Sequence, residues 1–185
     1  MSVPPLIEHY LHRGQMRVEE HQHRPVYRAR DLAAVECLAP ATVAKTVFFV
    51  CGRQMMLAVV PADRDLNLGH IRLLTGCRDA RLATEREIRQ RIETLAPGAV
   101  PPFGSLFGMP VFMDDGLLDN DLFEVAGGDP ARSLTIRMVD FLRQETPLIL
   151  PLACAPAPER TRRRAGRRSG AGMRVTEGAH AFVQA

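Results

Sequence analysis

The sequence predicts an α/β fold of the mixed α+β kind, with short helices flanking one curled mixed sheet. Three observations lead there. Short strand-like and short helix-like runs alternate along the first 150 residues. The stretch from Val43 to Val60 reads as a hairpin buried on both faces. Thr84 and Glu87 stand at the spacing of a capping box, ahead of an apolar stripe.

The elements follow in order. Pro4 and Pro5 suit a helix N-terminus, Leu6/Tyr10 and Ile7/Leu11 pair at i,i+4, and Gly14 stops the helix. Residues 15–21 are polar and read as a short strand. Residues 28–38 read as a helix with Leu32, Val35 and Leu38 facing inward. Val43–Cys51 is rich in β-branched and aromatic side chains, Gly52-Arg53-Gln54 makes a turn, and Met55–Val60 returns until Pro61 ends it. Leu66–Leu74 is a short helix closed by Gly76, and Ala80–Ala83 a brief strand.

The helix opened by Thr84 is expected to run to Leu95, with Ile88, Ile92 and Leu95 inward and the pairs Glu85–Arg89 and Glu87–Arg91 outward. Pro97-Gly98 ends it. Gly98-Ala99-Val100-Pro101-Pro102-Phe103-Gly104 is too proline-rich for helix or inner strand and forms a rigid loop. Pro110–Met113 is a strand, and Asp114 or Asp115 caps a single helical turn. Leu122–Ala126 and Ser133–Met138 are strands joined by a Gly-Gly-Asp-Pro turn, and Val139–Glu145 is a closing helix stopped by Pro147. Residues 1–150 thus form the domain. From Pro151 the chain turns to Pro, Ala, Gly and Arg without a periodic apolar face, and 151–185 reads as a disordered tail.

Charge divides along the same line. Residues 1–150 carry 17 basic and 19 acidic groups, residues 151–185 seven arginines and two glutamates. The domain is slightly acidic, so any nucleic-acid contact there needs a local patch rather than a domain-wide field. The tail could bind phosphates without sequence preference or be a solvated extension. No run of about eighteen apolar residues suggests a membrane span, and the N-terminus lacks a signal pattern, so a cytoplasmic protein is expected. Cys37, Cys51, Cys77 and Cys154 form no C-x-x-C pair. That excludes a zinc ribbon and a thioredoxin-type motif, and the spacing suits reduced thiols.

Few residues stand out chemically. His21 and His23 could present two imidazoles on one side of an extended segment, but no acidic or thiolate cluster accompanies them, and no metal or cofactor is expected. There is no nucleophile elbow, no Walker A loop and no G-x-G-x-x-G. The aspartates at 114, 115, 119 and 121 read as turn and cap residues. Two features remain. Of 24 Lys plus Arg residues, Lys45 is the only lysine, in a chain where arginine serves every other basic position. It begins an apolar strand, where a packed stem can hold the ammonium near the sheet end for a phosphate or carboxylate. The 98–104 loop offers stiff backbone, two glycines for close approach and amides that could act as an oxyanion hole.

These stretches resemble the YbaK/prolyl-tRNA-synthetase-associated domain family. Val43-Ala44-Lys45-Thr46-Val47 is similar to its Ala-Lys-Thr strand, and Leu57 through Asp63 to the strand and turn that follow. Arg81-Leu82-Ala83-Thr84-Glu85 matches its helix entry. Pro97–Gly104 with Leu106–Val111 is similar to its Gly-x-x-x-Pro loop and next strand. Arg137-Met138 with Asp140-Phe141-Leu142 resembles its last strand and helix, and His23, Pro25 and Tyr27 its N-terminal segment. The pieces span roughly 15–147 in one consistent order.

The resemblance implies a curled, barrel-like mixed sheet and hydrolysis of mischarged aminoacyl-tRNA, here with a small amino acid. The partners would be the aminoacylated 3′ end of tRNA and a synthetase. By the same resemblance Lys45 grips the phosphate region of the terminal adenosine or the ester oxygen, and Gly98 holds the aminoacyl group by its backbone. Thr46, Ala99, Val100, Pro101, Pro102, Phe103, Gly104, His23 and Asp129 contact substrate, with Phe48, Val100, Phe103 and Met109 shaping the amino acid pocket. The nucleophile is a water positioned by the ribose hydroxyl. Many relatives carry a histidine where this chain reads Gly127-Gly128-Asp129-Pro130. That departure leaves a second reading: a non-catalytic module that binds aminoacyl-tRNA or a synthetase.

Overall fold

The computed structural model describes residues 3–96 and 98–156. Helix α1 (Pro5–Arg13) buries Ile7 and Leu11 and ends at Gly14. Strand β1 (Val18–Gln22) follows, then helix α2 (Ala29–Val35), which buries Leu32 and Ala33. Leu38, expected inward, lies beyond the helix end and is 39% exposed.

Strands β2 (Ala44–Cys51) and β3 (Gln54–Pro61) form the expected hairpin, with Lys45 opposite Val60. Both faces are covered, which explains the unbroken apolar composition. Phe48 and Val50 face the main core with Leu57 and Val59. Phe49 faces a second cluster with Ala58, Val60 and Ile71.

A two-residue strand, β4 (Asp65–Leu66), comes next. Helix α3 (Leu68–Thr75) therefore starts later than expected, at Asn67, whose side chain accepts from the amides of Gly69 and His70. Gly76 closes it. Strand β5 (Arg81–Leu82) pairs with the far end of β2.

Helix α4 (Glu85–Arg91) has the full capping box but stops at Arg91, short of Leu95. Ile92 and Leu95 are buried all the same, 5% and 7% exposed, on chain that has left the helix. Arg89 pairs with Glu85 as expected. Glu87 pairs with Arg81 rather than Arg91, because β5 brings that guanidinium to 2.6 Å. Ion pair and cap together hold the Glu87 carboxyl down at about 2.

Strand β6 (Val111–Asp114) lies parallel to β3. Asp114 then caps a 3-10 turn, accepting from the Gly116 amide. Strands β7 (Leu122–Ala126) and β8 (Arg132–Arg137) pair antiparallel, and helix α5 (Met138–Glu145) closes against the core through Phe141.

Past Pro147 the chain adds β9 (Leu148–Leu150), parallel to β6, and β10 (Ala153–Cys154), antiparallel to β4. Leu152 is fully buried, and the Asp114 carboxylate accepts from the amides of Leu152 and Ala153 at 2.7 and 2.6 Å. Folded chain therefore continues beyond Leu150. The rest of the tail lies outside the described residues, as does Pro97.

The sheet is mixed, but the barrel-like closure is not formed. One sheet runs β5-β2-β3-β6-β9, a second β1-β8-β7, and β4 with β10 makes a third. The first two meet at a single parallel bridge, Val43 to Glu124. The thiols also differ from expectation. Cys51 and Cys77 are disulfide-bonded, their Cα atoms 5.9 Å apart. The pairing of Val50 with Arg81 draws the chain ahead of β5 back over the end of β2, a juxtaposition that sequence spacing does not show. Cys37 and Cys154 remain thiols. Among the described residues no helix is long and apolar enough to cross a membrane.

Candidate functional site

Where β2 begins, near the bridge between the two large sheets, one pocket gathers most of the expected residues. It is lined by Ala44, Lys45 and Thr46, by Gly98, Ala99 and Val100, and by His23 and Asp129. Val26, Arg28, Ala29, Leu32, Ala126, Pro130 and Arg132 complete the wall. Lys45 and the 98–100 backbone thus share one cavity although 53 positions separate Lys45 from Gly98.

Lys45 is 3% exposed. Its Nζ donates to Asp65 Oδ1 at 3.2 Å. The carboxylate comes from β4, which β10 holds in place by pairing Cys154 with Asp65. A buried ammonium needs such a partner, since desolvating an unpaired charge costs several kcal/mol, of order.

Gly98 adopts φ +86°, a left-handed conformation that a side chain would strain. The Ala99 amide is taken by the Ala96 carbonyl at 3.1 Å, and the Ala99 carbonyl accepts from the Gly128 amide at 2.8 Å. Within residues 98–100, the Gly98 and Val100 amides make no backbone hydrogen bond. Gly128 is itself fixed by packing. A Cβ there would come within 2.2 Å of Ile7 Cδ1, so α1 presses the turn against the loop.

His23 stands on extended chain laced to the β7–β8 turn: its amide donates to Ala131 O and that of Val26 to Pro130 O. The ring Nδ1 lies 2.8 Å from the Arg24 carbonyl, so Nδ1 donates to it and Nε2 carries the lone pair in the neutral ring. That Nε2 is buried without a partner. Asp129 is exposed at the rim, its Oδ1 accepting from the Ala131 amide at 2.7 Å.

The remaining loop residues serve differently. Pro101, Pro102, Phe103 and Gly104 are buried and do not line the pocket. Phe103 is fully buried against Tyr10, ring centroids 5.1 Å apart. Phe48, Phe103 and Met109 belong to the main core, and of the four side chains expected to shape the pocket only Val100 reaches it. Behind the loop, Glu145 accepts from the Ser105 amide at 2.9 Å, from Ser105 Oγ and from Tyr10. Burial, the main cause, raises the Glu145 carboxyl above its ordinary range and pushes the Tyr10 hydroxyl up to about 12.

Sequence reasoning missed Asp65, Arg28 and Arg132. Nothing in the Asp63-Arg64-Asp65 run singles out its third member. The two arginines are lost among the many. Arg132 also pairs with Glu20 at 3.0 Å.

Comparison with known proteins identifies the family and the fold. The family model described as aminoacyl-tRNA editing domain matches residues 23–144, more than half of the chain. A proline–tRNA ligase of Heliobacterium modesticaldum is 32% identical over 77 residues, which make up 42% of this chain and 13% of that relative. The chain therefore spans only a small part of the ligase. The crystal structure of the hypothetical protein APE2540 superimposes with a TM-score of 0.72 at 18% identity, over 80% of this chain and 99% of that one. A candidate trans-editing enzyme for prolyl tRNA synthetase gives 0.71 at 24% identity, over 83% and 100%.

Proposed function

Because the chain belongs to the aminoacyl-tRNA editing domain family, we propose that it is a trans-editing deacylase that hydrolyses the ester of a mischarged tRNA carrying a small amino acid. The observation that carries the reading is the meeting of Lys45 with the Gly98–Val100 backbone at one pocket. A synthetase for proline is the partner that the similar proteins suggest.

The chemistry follows from the residues. Lys45 meets the phosphate or ester oxygen of the terminal adenosine as a compact point charge. A water attacks the carbonyl carbon, and the Gly98 and Val100 amides stabilise the negative charge that develops on the carbonyl oxygen. The carbon–oxygen bond to the ribose breaks, and the ribose oxygen takes up a proton relayed from the water by the neighbouring hydroxyl. The amino acid leaves as a carboxylate and its proton goes to solvent. His23 lines the pocket with a buried, unpartnered Nε2, which in the neutral ring can accept a hydrogen bond from the attacking water or the ribose hydroxyl. No protein nucleophile is needed.

A small amino acid suits the cavity, which encloses about 20 Å3 between Ala44, Gly98, Ala99 and Ala126. The exposed Arg28 at its edge would swing aside to admit the aminoacyl group.

A panel of mischarged tRNAs tests the reading. At least one member should be deacylated, and Lys45→Ala should lose about a hundredfold or more of that rate while the fold survives. Full activity in the variant refutes the assignment. Binding without turnover for every member would instead favour a non-catalytic aminoacyl-tRNA-binding module.

A further inference from the structure

Next to the pocket lies a second, shallower hollow, formed by residues 24–28 together with Asp31 and Ala34. It shares Val26 and Arg28 with the pocket, so the two adjoin. Tyr27 is 57% exposed there, with the exposed Arg24 and Arg28 on either side of it in the chain. Among the described residues no ion pair neutralises either guanidinium, and Asp31 is the one carboxylate in the hollow. The backbone beneath is stiff. Pro25 restricts it, and the His23 and Val26 amides bind the 130–131 carbonyls.

A rigid segment that holds an aromatic ring in solvent between two cations, against a cavity, has the composition of a single-strand nucleic-acid platform. The ring supplies a stacking face that any base can use, and the guanidiniums pair with phosphates. Resting on the editing reading, which puts a terminal adenosine in the pocket, we propose that this hollow seats the unpaired nucleotides just before it. Tyr27 stacks on a base while Arg24 and Arg28 hold the flanking phosphates. The domain as a whole is slightly acidic, so this local patch supplies the RNA contact that net charge does not.

The test is binding rather than turnover, which separates it from the proposed reaction. The probe is a fluorescent RNA stem-loop with an uncharged, single-stranded CCA 3′ end, titrated against the full chain. Tyr27→Ala should weaken binding about tenfold or more, and Tyr27→Phe, which keeps the stacking face, should stay within about twofold of the native protein. Arg24→Ala should weaken binding and reduce the slope of log Kd against log salt by about one. A blunt stem-loop lacking the CCA end should bind weakly and lose little with Tyr27→Ala. Equal affinity of native protein and Tyr27→Ala for the overhang overturns the proposal. So does an equal loss on the blunt stem-loop, or no binding by the native protein. If the tRNA panel shows no turnover while the Tyr27 effect stands, hydrolysis fails and the platform remains.

Discussion

Lys45 Nζ sits 3.2 Å from Asp65 Oδ1, an ion pair between a strand start in the central hairpin and a two-residue strand anchored by the chain's later part. The lysine is buried and the aspartate side chain 22% exposed, so the carboxylate both neutralises and aims the ammonium. Asp65→Ala should destabilise the protein by roughly 1–3 kcal/mol, below the cost of breaking a fully buried pair because solvent reaches the aspartate. Deacylation should fall with it. Lys45→Arg should restore charge but little activity, since a planar fork does not fit a point-charge site. Urea titrations and single-turnover rates check both.

His23 Nε2 is buried without a partner among the described residues. His23→Phe should lower the single-turnover rate by about tenfold to a hundredfold with little change in thermal midpoint, whereas His23→Gln should recover part of the rate. Equal rates for all three proteins would remove His23 from the chemistry.

Gly98 is held at φ +86°. Gly98→Ala should cost about 1–2 kcal/mol in strain and misdirect the adjoining amides, so kcat should fall more than KM rises. A variant losing stability alone would leave the loop a scaffold.

The Cys51–Cys77 disulfide closes a loop with a sequence separation of 26. By loop-closure entropy it stabilises the fold by ~3 kcal/mol. Reduction, or Cys51→Ser, should lower the thermal midpoint by several degrees while activity at low temperature persists, because the bond lies at the opposite end of β2 from Lys45. Calorimetry with and without dithiol checks this, and mass spectrometry under non-reducing conditions reads the bond itself.

Glu145 gives a pH dependence of definite sign. Its carboxyl is raised by burial above the ordinary value of 4.5. An acid with a raised folded value binds its proton more tightly when folded, so it favours the fold below 4.5. That contribution is lost as pH rises through the raised value. Glu145→Gln should flatten the stability profile just above pH 4.5. Below that range it should also cost about 1 kcal/mol, since an amide does not reproduce every hydrogen bond that the protonated carboxyl makes with Ser105 and Tyr10. Denaturation over a pH series reads both effects.

Much of the fold was legible because each strand and helix carries its own periodicity and punctuation. Asn67, Thr84 and Asp114 cap as their chemistry demands. Periodicity reports burial rather than helix, however. The stripe through Ile92 and Leu95 was buried as expected, yet the helix had ended at Arg91. Lys45 was visible as the sole lysine. Asp65 was not, because its place depends on β10 nearly ninety positions later. Cys51 and Cys77 likewise meet only through the register of β2 against β5. The prolines of the 98–104 loop read as part of the substrate site, but they are buried footing rather than pocket wall.

Strand β10 also fixes the point of departure for what comes after it. Cys154 lies opposite Asp65, and Asp65 touches Lys45, so the polypeptide runs out beside the site's lysine rather than at a remote pole. Six positions on, the sequence reaches Arg160 and the arginine run. A polyanion drawn to those arginines would stand at raised local concentration for the site, because one chain carries both. Trimming the chain after Pro156 spares β10 and removes those arginines, and KM should then rise at constant kcat. A cut after Leu150 would confound it by removing the buried Leu152.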